Sequence, residues 1–352
     1  MTKYNNFDFL RFLFAVFVVI THAFAISGYG ENKEWGMQLS NNQVALSQIG
    51  LSGFFLISGY FMIQSLQRSK SILDYFKKRF LRLFPALMVL LIITVLLLPI
   101  VYEGKIPFYE NKQVFTYIPN NLSLYCFQPV IKGVFDNNPY HSINGSLWTL
   151  RYEFSMYIAI GLLYFIKNNL KLVRVVIGAV FIVMLICYNF FLQRFGGASV
   201  LGMQGSHILN LGLFFVCGSF LATLRLEHIK NKKAVLLIGA MVLLISVYFN
   251  FYMHIKHIML PIVVLLIGFI PLPFFSSFGK FGDASYGVYI YSFPVQQGLM
   301  YFFELKLYPL MFLSVFISII LGYLSWWLVE KQALWLKTEL ILNKKYLNIN
   351  EF

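Results

Sequence analysis

Arg11 and His22 stand eleven positions apart inside FLRFLFAVFVVITHAF, residues 9–24, a stretch otherwise apolar enough to lie in lipid. An imidazole in such a place is suited to taking a proton from a hydroxyl, and a guanidinium, with its planar fork, to holding phosphate oxygens. A second stretch, NGSLWTLRYEF at 144–154, carries Glu153. A third, KKRFLRLFP at 77–85, carries Arg79 and Arg82 one helical turn apart. An ionisable group inside a membrane span is costly unless paired or used, so each of these is a candidate for function.

Helical geometry relates them. At about 100° per residue Asp8, Arg11 and His22 share one face, and a rise of about 1.5 Å per residue sets His22 roughly 16 Å from Arg11 along the axis. Counting inward from the start of the span that begins near residue 148 puts Glu153 roughly 8 Å below the membrane surface, close to the expected depth of His22. Two levels are expected: Arg11, Arg79 and Arg82 at one mouth, and His22 with Glu153 near the other.

The elements that must hold these groups are apolar throughout. The chain of 352 residues is 59% hydrophobic and 12% charged, with mean hydropathy +0.71, which indicates an all-α polytopic membrane protein. Runs of about 20 apolar residues predict about ten transmembrane helices, near 8–28, 49–66, 83–101, 148–166, 172–192, 207–224, 234–252, 256–271, 284–303 and 308–329. With a cytoplasmic amino terminus the inside segments hold 20 of the 28 Lys and Arg, so both termini are expected in the cytoplasm. The net charge of +14 belongs to that topology rather than to nucleic acid. One membrane domain is expected over 1–340, followed by a short cytoplasmic tail, 341–352.

The longest loop, 102–147, falls outside in this orientation and is rich in Asn, Pro and Tyr. Cys126, Cys187 and Cys217 have no metal or disulfide spacing, and no metal is expected. His207, His254 and His257 fall near span ends and read as interfacial residues. A polyanionic donor in the cationic mouth, with a reactive group on a long arm reaching the His level, would bridge the two sites. Acyl coenzyme A has that shape.

Five motifs in order give these residues a family resemblance. Arg11 and His22 match an Arg, ten residues, His signature, and GLSGFFLISGYFM at 50–62 matches a Gly/Phe-rich second span. Arg79, Arg82, Phe84 and Pro85 match Arg-x-x-Arg with an aromatic and proline, SLWTLRYE at 146–153 a Ser-Leu-Trp element, and SYGVYIYSFPV at 285–295 a late Ser-Tyr-Gly element. Glu330 and Lys331 match a closing Glu-Lys pair. The chain resembles the integral membrane acyltransferase 3 family, in its stand-alone form, along nearly its whole length. It departs from many relatives at Ser292, where they carry a second His, and at Gln332, where a proline is frequent.

The resemblance implies a membrane O-acyltransferase, most often an O-acetyltransferase, in the bacterial cytoplasmic (inner) membrane. It would move an acyl group from cytoplasmic acetyl-CoA to a sugar hydroxyl of a cell-surface or lipid-linked polysaccharide such as O-antigen or exopolysaccharide. His22 is the implied catalytic residue and the arginines hold the donor. Either His22 deprotonates the sugar hydroxyl, or it accepts the acyl group and passes it on; in both versions Glu153 would orient the imidazole. Trp148, Asn144, Ser146 and Tyr286 are the candidates for contact with the acceptor. The competing reading is a transporter or flippase of a polysaccharide precursor, which would favour inverted repeats and ionisable groups near the midplane.

Overall fold

A computed structural model describes residues 5–335. All ten apolar runs are helical: α1 (Phe7–Ile26), α2 (Leu46–Arg68), α3 (Ile72–Leu97), α4 (Leu150–Leu162), α5 (Leu170–Phe190), α6 (Gly205–Thr223), α7 (Lys232–Tyr248), α8 (Tyr252–Phe269), α9 (Ser285–Phe303) and α10 (Leu307–Ser325). Seven of them, α1, α2, α3, α5, α6, α8 and α10, are long and apolar enough to cross a membrane by length and composition. The protein is therefore a multi-pass, all-α membrane protein. A two-residue ribbon, Ser199–Val200 with Met203–Gln204, is the β-structure among the described residues. The proposed tail, 341–352, lies outside the described residues.

Short polar signals set the helix starts. Ser71 accepts a hydrogen bond from the Asp74 amide and begins α3, and Asn169 does the same for the Leu172 amide at α5. Close approach of α2 and α6 rests on glycine, because a Cβ at Gly59 would run into the Phe215 backbone and one at Gly218 into the Leu56 backbone. Ser219 then donates to the Gly59 carbonyl at 2.9 Å. With little hydrophobic driving force between helices in lipid, this small-residue contact supplies dispersion that a larger residue would forfeit.

α1 runs through the middle of the bundle. Its buried Phe7, Leu10 and Phe14 join a core built with α2, α6 and α8, while Ala15, Val18 and Val19 join a second core with α3, α9 and the long loop. Asn6 pins its start by donating to the Ile267 and Ile270 carbonyls, each at 2.7 Å. Gln296 pins its far half by donating to the Val19 carbonyl at 2.8 Å, one turn before His22.

The segment 102–147, expected as an outer loop, is folded against the bundle. Its helix Lys112–Leu122 turns back along α3, so that Pro119 and Leu122 meet Phe84 and Met88 around an apolar groove. Val114, Tyr117, Ile131, Val134 and Ile143 are buried. Gln297 of α9 holds the end of the segment through the Tyr140 and Ser142 carbonyls, at 2.6 and 2.5 Å.

Candidate active site

The three arginines meet as their spacing predicts. Arg11, Arg79 and Arg82 line one cavity of about 250 Å³, together with Ser58, Met62, Glu153, Tyr157, Asp283 and Tyr286. Two of the guanidiniums are already neutralised. Arg82 lies 2.5 Å from Asp283 and 3.9 Å from Glu330, and Arg11 lies 3.7 Å from Asp283 and 3.4 Å from Asp8. Arg79 differs. Its fork donates to the Ser65 hydroxyl at 3.2 Å and the Met62 sulfur at 3.0 Å, its Nε is buried without a partner, and no carboxylate pairs with it among the described residues. The rings of Tyr75 and Tyr157, each 5.9 Å away, hold the guanidinium in place.

Asp283 is the ion-pair centre that sequence reading passed over. Burial would raise its carboxyl, but the Arg82 and Arg11 guanidiniums and the Ser285 hydroxyl at 2.5 Å outweigh that and hold it well below the usual carboxylate range. A carboxyl depressed on folding contributes stability that is complete above its unfolded value, about 3.9, and is lost only as pH falls through the folded value. In detergent, Asp283→Asn is expected to lower stability by about 3 kcal/mol. The gap from wild type should stay flat from about pH 8 to about pH 5 and narrow only below about pH 4. A gap that closes near neutrality would show that Asp283 is not held by the arginines.

His22 sits apart from this cavity. Its ring meets the edge of Phe293 with centroids 5.1 Å apart, and its buried Nδ1 has no hydrogen-bond partner among the described residues. Phe293 also packs against Gly145 and, at 5.7 Å between centroids, Tyr140. Between His22 and the cavity lies a polar latch: Tyr289 donates to the Ser146 carbonyl at 2.8 Å, and its hydroxyl is 2.6 Å from that of Thr149.

The expected contact of Glu153 with His22 is not made. Glu153 accepts from Ser58 at 3.2 Å and from the Tyr157 hydroxyl, and Ser58 is about one turn of α2 from Phe61, whose ring carries the Arg11 guanidinium at 5.4 Å. Glu153 therefore belongs to the arginine level, about 16 Å along the bundle from His22. The depth count failed because it began at the membrane surface. The chain reaches residue 144 already deep, since Pro294 has no N–H to give the Ile290 carbonyl and Asn144 Nδ2 fills the vacancy at 2.9 Å. A buried 3₁₀ turn, Gly145–Thr149, follows, and α4 is only 13 residues long.

Of the residues expected to meet an acceptor, Asn144 is spent on this anchor, accepting also from the Ser146 amide at 3.1 Å. Ser146 is buried beside it with its hydroxyl unpartnered among the described residues. Tyr286 donates to the Leu83 carbonyl at 3.0 Å and lines the arginine cavity. Trp148 points away from Phe293 and packs on His207 with centroids 4.6 Å apart. His257, read as interfacial, is fully buried and bonded to Asn210 at 3.0 Å.

Comparison with known proteins decides what kind of site this is. The acyltransferase 3 model, described as an acyltransferase domain, matches residues 4–330. The chain belongs to the acyltransferase 3 family. It is similar to an O-acetyl transferase of Shigella phage Sf6, 32% identical over 346 residues that cover 95% of this chain and 97% of the phage protein. It is also similar to nodulation protein 10 of Rhizobium leguminosarum bv. viciae, 31% identical over 188 residues, 50% of this chain and 48% of that one. No solved structure matches significantly.

The chain is thus an O-acyltransferase of the membrane. In this acyltransferase the separation of Glu153 from His22 has a kinetic consequence. Glu153→Gln is expected to leave the pH dependence of thioester cleavage unshifted and to change the KM for the donor about threefold or more, since an orienting carboxylate would move the pH profile instead. Initial rates from pH 5.5 to 9 on the purified variant check this; a displaced acid limb would restore the dyad.

Proposed function

We propose that the protein transfers an acetyl group from acetyl-CoA, bound from the cytoplasm, to a sugar hydroxyl of a cell-surface or lipid-linked polysaccharide, in the bacterial cytoplasmic membrane. The observation that carries this reading is the unpaired Arg79 fork in a cavity of arginines, with His22 about 16 Å further along the same bundle axis. Phosphates of the donor rest on Arg79, with Arg11 and Arg82 adding positive potential. The pantetheine arm rises past the Thr149–Tyr289 latch, which brings the thioester to the His22 level.

At that level His22 takes the proton of the acceptor hydroxyl as its oxygen attacks the thioester carbonyl. A carbon–oxygen bond forms, the carbon–sulfur bond breaks, and the coenzyme A thiolate takes the proton from the imidazolium as it leaves. The free Nδ1 is consistent with a base that works without a carboxylate partner. The O-acetyl transferase name of the phage relative supports acetyl as the group moved. Purified protein with labelled acetyl-CoA and surface glycan should release free thiol and label the glycan in equal amounts; glycan movement without thioester cleavage would show a transporter instead.

A further inference from the structure

Arg151 is a guanidinium that the acyl-transfer chemistry leaves unused. It is the second residue of α4, and its Nε donates to the Trp148 carbonyl at 3.2 Å, which aims the side chain back toward the end of the bundle opposite the arginine cavity. There it lies between the rings of Phe127 and Tyr152, each 5.6 Å from the guanidinium carbon, and against Gly202 in the turn before α6. His207 closes the cleft, in contact with Trp148 at 4.6 Å and with Tyr152 at 6.0 Å between centroids. No carboxylate pairs with Arg151 among the described residues.

Two aromatic rings fix this cation while the two Nη nitrogens make no hydrogen bond among the described residues, so the fork is preorganised for a planar pair of acceptor oxygens. The ordinary topology signal does not explain it, because lysines and arginines that only set orientation stand in loops, not clamped in a span. The neighbouring chain is apolar: the segment from Leu122 to Phe127 joins the cleft to the groove of Phe80, Phe84, Met88, Pro119 and Leu122. A cationic head site continuous with an apolar groove suits an anion carried on a hydrocarbon tail.

We propose that Arg151, with His207 and Trp148, binds a phosphate carried by a lipid in the leaflet opposite the arginine cavity. Resting on the acyl-transfer reading, this is where a lipid-linked acceptor is anchored. The 3₁₀ turn Gly145–Thr149 stands between the two places, with Gly145 on the Phe293 ring that meets His22 and Trp148 on the cleft side. Three residues of such a turn advance about 6 Å, so a sugar attached to the anchored phosphate is within a short reach of the imidazole.

The test measures retention of radiolabelled polyprenyl phosphate by the full chain in phosphatidylcholine nanodiscs. Arg151→Gln should weaken retention about tenfold or more and Arg151→Lys less, because the ammonium keeps the charge and loses the fork. Uncharged polyprenol should not be retained by wild type. Phosphatidylglycerol that competes as well as polyprenyl phosphate would identify the lipid as a phospholipid, and failure to compete would identify a polyprenyl carrier; either supports the site. Equal retention by wild type and Arg151→Gln, or equal retention of polyprenol, would overturn it. Acetyl-CoA binding and thiol release are measured on the same samples, so a failure of the anchor is distinct from a failure of acyl transfer and from misfolding.

Discussion

Replacing His22 by Ala is expected to lower acyl transfer by about 10³-fold while leaving donor affinity unchanged. The magnitude follows from its place as the proton acceptor, since a positioned general base contributes roughly 10² to 10⁴ in rate. The unchanged affinity follows from geometry, because the phosphate-binding arginines stand about 16 Å away along α1. Folding should survive, since Nδ1 makes no hydrogen bond that Ala would remove and the ring meets only the Phe293 edge among the described residues. Thiol release and isothermal titration with acetyl-CoA on the same preparation check both halves. Activity within tenfold of wild type would remove His22 from the chemistry.

The second large effect belongs to Arg79. A charged hydrogen bond to a ligand phosphate is worth about 1.5–3 kcal/mol, so Arg79→Ala should raise the KM for acetyl-CoA roughly 10- to 100-fold. The rate at saturating donor should hold within about threefold, because the phosphates are bound alike in the ground and transition states. Arg79→Lys should fall between, having a point charge in place of the fork. Arg82→Ala should behave differently. Its guanidinium is tied to Asp283 and Glu330, so the first loss is stability rather than donor affinity. A KM for Arg79→Ala equal to wild type would empty the cavity of its donor.

Much of this arrangement was legible in residue order. The ten apolar runs became ten helices because a chain that buries its backbone in lipid has few other ways to satisfy it. Convergence of Arg11 with Arg79 and Arg82 followed from their equal distance from span ends. Asp283, by contrast, sits in a short turn before α9, and nothing local marks it as the group that neutralises arginines 201 positions away and more. Glu153 was misplaced by a different cause. Its depth was counted from a span that starts at the surface, whereas Asn144 starts it inside, at the carbonyl that Pro294 leaves open. The proline and the asparagine were both visible, but only their pairing gives the depth. His257 was likewise judged from its place near a span end, and the packing of Tyr188 and Phe214 around it buries it instead.

The central claim is that donor phosphates and acyl chemistry occupy two levels of one bundle. A cryo-electron microscopy map of the protein with a non-hydrolysable acetyl-CoA analogue tests it directly. The account predicts phosphate density on Arg79 and the acetyl carbon within about 3.5 Å of the position a hydroxyl takes beside His22. An acetyl group that remains at the level of Glu153, or phosphates bound at the opposite face of the bundle, would contradict it.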